Sequence, residues 1–171
     1  DKSFIVFFRN FNSPVFDAVF SGLTFFGNPF FILVFTVIAL YLSDNKKKAF
    51  LAVFSMLLVA TVVLAVKTLI ERERPDNIVV SFNVLFNFAF PSMHAAGAFV
   101  LLPLLAGVFR RLKIAFWVVA SAIAFSRIYL AYHFFSDVVA GAVIGYFAGA
   151  VLLKFKDEAF FVSPEMFARQ F

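Results

Sequence analysis

The sequence predicts an all-α, polytopic membrane bundle of about five or six membrane helices, and three observations carry that prediction. Hydrophobic residues make up 63% of the chain against 15% charged, and the mean hydropathy is +0.97, far from the balance of an ordinary soluble domain. Charged residues gather in short joints at 44–48, 71–74 and 110–113 that separate long apolar runs. The runs follow one another without room for a soluble module, so residues 1–171 are expected to form a single integral-membrane domain.

Each element has its own signals. Asp1 to Phe8 lacks the basic region and small-residue cleavage site of a signal peptide, so the first hydrophobic stretch is expected to be retained. Ser13-Pro14 starts a helix over 13–26, short for a span and carrying Asp17, which predicts a tilted or partly embedded segment. Gly27-Asn28-Pro29 breaks it, and an apolar helix from Phe30 to Ser43 ends at the charged joint that includes Lys46, Lys47 and Lys48. The next helix, about Ala49 to Ile70, carries Lys67 to its far end, where Glu71-Arg72-Glu73-Arg74-Pro75 stops it. Residues 76–90 mix asparagines with Val and Phe, as expected of a connection lying on the membrane surface.

Pro91-Ser92 opens a helix that proceeds through Ala95 to Phe109 and closes at Arg110-Arg111-Leu112-Lys113. Two more follow, Ile114 to about Tyr132 and about Ser136 to Phe155. Gly141, Gly145 and Gly149 recur at four-residue spacing in the last of these, which predicts close helix packing within the monomer. The tail from Asp157 to Phe171 alternates Phe and Met with charges, as an interfacial amphipathic segment would. The 29 phenylalanines read as lipid-facing and packing bulk.

Composition also excludes. Without cysteine there is no disulfide, iron–sulfur cluster or thiolate zinc site. The net charge of +5 forms no basic arm suited to nucleic acid, and nothing fixes an oligomeric state.

Taking the helices as alternating spans puts Lys67 with Arg74, Ser92 with His94, and Arg127 with His133 on one side of the membrane. The same alternation sends Lys46, Lys47, Lys48, Arg110, Arg111, Lys113, Lys154 and Lys156 to the other, eight of the fifteen basic residues. By the positive-inside rule the first side lies outside the cytoplasm, the periplasmic face of a bacterial inner membrane.

A charge placed inside a membrane segment is a functional-site hypothesis by default. Three permanent cations and two histidines point to a phosphate, because phosphoryl transfer is catalysed mostly by positioning and charge stabilisation. Lys67, Arg74 and Arg127 supply fixed positive charge, and Ser92 at a helix start adds a hydroxyl and free backbone N–H groups. Of the histidines, one must be neutral to attack phosphorus. Asp137, four residues beyond His133 and on the same face if helical, can accept its other ring N–H, which makes His133 the nucleophile. His94, beside the phosphate, is then the acid that protonates the departing oxygen.

Lys67-(six residues)-Arg74-Pro75, Pro91-Ser92-Met93-His94 and Ser126-Arg127-(five residues)-His133-(three residues)-Asp137 together resemble the three-part signature of the type 2 phosphatidic acid phosphatase, or lipid phosphate phosphatase, family. The resemblance implies a metal-independent phosphatase on an α-helical bundle shared with vanadium haloperoxidases. It makes Lys67, Arg74, Ser92 and Arg127 phosphate ligands, His94 the general acid, His133 the nucleophile and Asp137 its partner, with a phosphorylated lipid as substrate and no cofactor or metal. Met93 stands where the family most often has glycine. It keeps the backbone N–H and adds bulk at the pocket mouth. Within the family the compact chain looks like the bacterial lipid A 1-phosphatases, while undecaprenyl diphosphate and phosphatidylglycerophosphate phosphatases share the architecture.

Each motif alone has a structural explanation: an Arg-Pro stop, a Pro-Ser cap, a satisfied interfacial histidine. Both histidines of the chain fall inside the combined pattern, which reverses that balance. Glu71 and Glu73 are expected to be surface charges pairing with Arg72 or solvent, Tyr129 and Tyr132 interface anchors, and Asp17 has no assigned role. The rival from another class is a noncatalytic lipid-phosphate carrier.

Overall fold

The structure, a computed structural model, describes residue 7, residues 13–75 and residues 87–158, with side chains left aside at 155–158. Helix α1 (Pro14–Phe26) starts where expected, because the Ser13 hydroxyl accepts from Phe16 N at 3.2 Å and Pro14 is preset for a first turn. Gly27 ends it and Asn28 caps α2 (Pro29–Leu42), accepting from Phe30 N at 3.0 Å, so two residues serve as stop and start. The two helices meet at 62°. A methyl group at Gly27 would strike Ile123, so the corner of the bend rests directly on a later helix.

Helix α3 (Lys46–Ile70) takes in Lys46, Lys47 and Lys48, which the sequence placed in the joint. Lysine is a good helix former, and Ser43, left-handed Asp44 (φ 57°) and Asn45 suffice for the turn. After α3 the chain turns at Glu71, also left-handed at φ 48°. The single helix expected from Pro91-Ser92 onward is two, α4 (Met93–Val100) and α5 (Leu102–Val108), because Pro103 in the first turn of α5 has no N–H to continue the ladder. A 3-10 turn, Arg110–Leu112, leads into α6 (Lys113–Tyr129). That helix stops short of Tyr132, and the chain folds back through Ala131 (φ 56°) before α7 (Phe135–Glu158). The surface loop expected over 76–90 lies mostly, and the amphipathic tail almost wholly, outside the described residues.

Three stretches, α3, Arg110–Tyr129 and Phe135–Lys154, are long and apolar enough to cross a bilayer, and the bent α1–α2 pair makes a fourth if it counts as one span. Met93–Val108 is a shorter apolar stretch. The chain is thus the all-α membrane bundle that its composition predicts.

Close packing runs along α4 and α7. A methyl at Gly141, Gly145 or Gly149 would collide with the carbonyl oxygen of Ser92, Ala96 or Val100 respectively. Two four-residue rows therefore meet backbone to backbone, the small-residue packing that associates helices where lipid leaves no hydrophobic drive. Ala52, Met56, Val59 and Val63 of α3 close the other side of α4, together with Leu40, Leu101 and Leu104. The perimeter is apolar, with Phe30, Phe35, Phe50, Leu57, Leu69, Phe147 and Val151 exposed as a lipid-facing surface requires.

Helix direction gives the bundle two unlike ends. Lys67 of α3, Arg127 of α6 and Asp137 of α7 share one. At 1.5 Å rise per residue, Lys46, Lys113 and Lys154 on the same three helices lie about 20–30 Å away at the other.

Candidate active site

Charged and polar side chains that are buried at the first end include Lys67, Arg74, Ser92, Arg127, His133 and Asp137. Lys67, in the last turn of α3, is 1% exposed and its ammonium donates to the carbonyl of Phe88. Just past that helix, Arg74 donates from Nε to Asn87 O at 3.0 Å and from Nη1 to Tyr132 O at 2.6 Å. The same Nη1 lies 3.1 Å from His133 Nε2. Arg127, on the last turn of α6, donates from Nη1 to Thr24 Oγ1 at 2.7 Å and stacks over the Tyr132 ring, 4.5 Å from its centroid. Its Nε is buried without a hydrogen-bond partner among the described residues.

Ser92 is fully buried at the N-cap of α4, with its backbone N–H donating to Asp137 O at 2.9 Å. His94, half-buried in the first turn, is close enough to Arg127, Arg74 and Lys67 to interact with their charges. All seven residues singled out by the sequence converge here.

His133 is placed by backbone more than by helix. It precedes α7 rather than sharing a helical face with Asp137, and its N–H donates to Arg127 O at 3.1 Å, so the tight turn after α6 delivers it. A guanidinium can only donate, so the Nε2 facing Arg74 carries a lone pair. A neutral ring then holds its proton on Nδ1. Burial, reinforced by the charges of Arg74, Arg127 and Lys67, lowers its pKa well below the ordinary 6.5, which keeps the ring neutral.

The expected hydrogen bond from His133 to Asp137 is not formed: Nδ1 and Oδ2 are 3.6 Å apart, and Nδ1 is buried without a partner among the described residues. Instead Asp137 Oδ2 accepts from Phe134 N at 2.8 Å and Oδ1 from Arg72 Nη1 at 2.7 Å. Arg72, expected to pair with the neighbouring glutamates or solvent, thus turns inward; it also donates to Ser136 Oγ at 2.7 Å and lies over Phe134.

Sequence reasoning also missed what α1 does. Asp17 accepts from the Tyr129 hydroxyl at 2.9 Å, and Thr24 meets both Arg127 and, at 3.0 Å, Ser126 Oγ. Tyr129 is accordingly buried rather than an interface anchor. An acid inside an apolar helix was the available signal for Asp17, and its seven-residue offset from Thr24, two helical turns, the signal that both use one face. Among the described residues no three His, Asp or Glu side chains gather as a metal site.

A bundle of membrane helices that buries three fixed cations around two histidines at one end has the make-up of a membrane enzyme acting on phosphate. Residues 48–161 match the PAP2 superfamily, and the chain belongs to it. Lipid A 4'-phosphatase of Bacteroides thetaiotaomicron is 28% identical over 167 residues, covering 87% of this chain and 73% of that protein. Among solved structures, Aquifex aeolicus LpxE superposes with a TM-score of 0.75 at 26% identity, over 90% of this chain and 94% of the other. The first transmembrane PAP2-type phosphatidylglycerolphosphate phosphatase from Bacillus subtilis gives 0.77 at 22%, over 94% and 86%, a likeness of fold. The family and fold expected from the three motifs are met, and the chain is a PAP2-type membrane phosphatase.

Proposed function

We propose that the protein removes a phosphate from the headgroup of a lipid A-type glycolipid, through a phosphohistidine, at the periplasmic face of a bacterial inner membrane. The observation that carries the mechanism is the 3.1 Å approach of the Arg74 guanidinium to His133 Nε2. It marks the lone pair of a neutral imidazole beside a group built to grip phosphate oxygens. Lys67, Arg74, Arg127 and the N-terminus of α4 at Ser92 bind the phosphoryl oxygens. His133 Nε2 attacks phosphorus, the bond to the lipid oxygen breaks, and His94 gives that oxygen its proton. Water then attacks phosphorus while His94 takes the water's proton, and the phosphorus–nitrogen bond breaks with its electron pair returning to His133 Nε2. Inorganic phosphate leaves and His133 returns neutral. Asp137 stabilises the positive charge that develops on His133 during the first step.

The lipid A assignment is supported by the relative that covers 87% of the chain. The periplasmic orientation is supported by the lysines and arginines at the opposite end. The test is phosphate release by purified wild type and His133→Ala, in EDTA, from lipid A, undecaprenyl diphosphate, phosphatidylglycerophosphate and phosphatidic acid. Release from lipid A that the variant loses is the expected result. Preference for another lipid overturns the substrate, abolition by EDTA with rescue by Mg²⁺ overturns the metal-free scheme, and no release from any lipid favours a carrier.

A further inference from the structure

The basic end of the bundle holds a cavity of about 670 Å³ between α5, the 3-10 turn, α6 and α7. Arg110 and Lys113 stand at its rim, Trp117 and Tyr146 line its wall, and Leu102 and Pro103 contribute apolar surface. Its chemistry is graded. Lys113 and Trp117 are one turn apart on the same face of α6, Lys113 exposed and Trp117 half-buried, so the lining passes from charge to aromatic surface along the helix. Trp117 and Tyr146 pack at 5.4 Å between ring centroids, and Phe99 backs Trp117 at 5.8 Å, giving a rigid aromatic wall. Beside them the α5 backbone passes Gly107, where an added methyl would meet nothing within 4 Å, so the chain leaves room there.

Two further observations point to a ligand. The side chains of Arg110, Lys113, Trp117 and Tyr146 have no hydrogen-bond or ion-pair partner among the described residues, so two cations, an indole N–H and a phenol O–H all remain available as donors. Lys113 lies fourteen residues before Arg127 on one unbroken helix, about 21 Å from the active-site end. In a hydrocarbon core of about 30 Å that is close to the opposite interface. A cavity with cationic donors at an interface and an apolar aromatic wall running inward matches an amphiphile with an anionic head.

We propose that this cavity binds an anionic phospholipid of the leaflet opposite the active site, its phosphodiester held by Arg110 and Lys113 and its upper acyl chain lying along Trp117 and Tyr146. The site is separate from the catalytic machinery and does not rest on the identity of the substrate.

Trp117 is the only tryptophan of the chain, so its fluorescence reports this cavity alone. The protein is reconstituted in vesicles containing a rising fraction of phosphatidylglycerol brominated on its acyl chains, or of brominated phosphatidylcholine in a matched series. Quenching by the anionic lipid is expected to show a relative association constant at least about fivefold higher. In the double variant Arg110→Gln, Lys113→Gln the two lipids are expected to quench alike. Helical circular dichroism and retained phosphate release establish that this variant is folded. Equal quenching of the wild type by both lipids overturns the proposal. So does a preference that survives in the double variant, or shielding of Trp117 from both lipids that grows with protein concentration, the mark of a second copy filling the cavity.

Discussion

At the scale of single residues, the candidate site denies His133 a proton. Three cations and burial hold the imidazole neutral, and Arg74 holds its Nε2 lone pair toward the place a phosphate would take. The sign of the pH effect follows. In the folded protein the pKa is lowered, so the unfolded chain takes up a proton as pH falls below about 6.5 while the native state does not. Stability contributed by neutral His133 is present above that pH and declines below it. Thermal unfolding in detergent should show wild type losing stability on acidification through this range, and His133→Gln losing less; parallel losses would remove His133 as the cause. Arg72 is the second residue to test. It lies two positions before a motif arginine, and nothing in the spacing distinguishes it from a solvated charge; only the return of α7 brings Asp137 to within 2.7 Å of it. Arg72→Ala removes one charge-assisted hydrogen bond to the carboxylate, worth about 1.5–3 kcal/mol, or roughly ten- to a hundredfold in kcat. KM should change little, since Arg72 orients Asp137 rather than gripping substrate, and Arg72→Lys should recover part of the rate. A rise in KM at unchanged kcat would mean that Arg72 binds the headgroup directly.

At the scale of elements, the short helix α4 carries the most responsibility: it presents Ser92 and His94 and is gripped by α7 along its length. That grip was legible in the sequence, since three glycines at four-residue spacing need a backbone to approach them, and Ser92, Ala96 and Val100 supply it. Gly145→Ala must push two backbones apart and should destabilise the protein by about 1–3 kcal/mol. Gly141→Ala, which presses on the Ser92 carbonyl, should lose activity more than stability if the start of α4 binds phosphate as proposed, because it moves that helix start. Gly22→Ala meets nothing within 4 Å and serves as the control, expected within about 0.5 kcal/mol of wild type. Thermal unfolding and phosphate release on the three variants test this; equal effects at all three positions would argue that the glycines are chosen for flexibility rather than contact. What the sequence hid at this scale is instructive. Apolar runs announce helices but not their breaks, so the division at Leu101 and the early end of α6 at Tyr129 were not foreseen. His133 and Asp137 have helical spacing, yet left-handed Ala131 and the tight turn put His133 outside the helix. Polar contacts from α1 to α6 depend on how a 62° bend folds one helix over another, which no local pattern encodes.

At the scale of the whole molecule, the bundle is a polarised object, with Lys67, Arg74 and Arg127 buried at one end and Arg110 and Lys113, unpartnered among the described residues, exposed at the other. Charge of one sign serves two purposes, and burial separates them. Lys67 and Arg127 are sealed among helices where each answers to a designated acceptor, Phe88 O or Thr24 Oγ1, whereas Arg110, Arg111 and Lys113 at the basic end are exposed, the charge from which orientation is predicted. Orientation is therefore a direct prediction of the charge distribution, and a chain without cysteine is well suited to test it. Ser43 at the basic end and Glu73 beside the active site are both exposed, on opposite ends of α3. In cells with a permeabilised outer membrane and an intact inner one, a membrane-impermeant maleimide should label Glu73→Cys. It should label Ser43→Cys only after the inner membrane is opened. The reverse pattern would place the active site in the cytoplasm, where the substrate would have to be a lipid of the inner leaflet. Labelling of both in closed cells would mean that α3 does not cross, contrary to its length of 25 residues, about 37 Å against a core of about 30 Å. Because Lys67 and Lys46 lie on that single helix, its crossing fixes the side of every residue in the site.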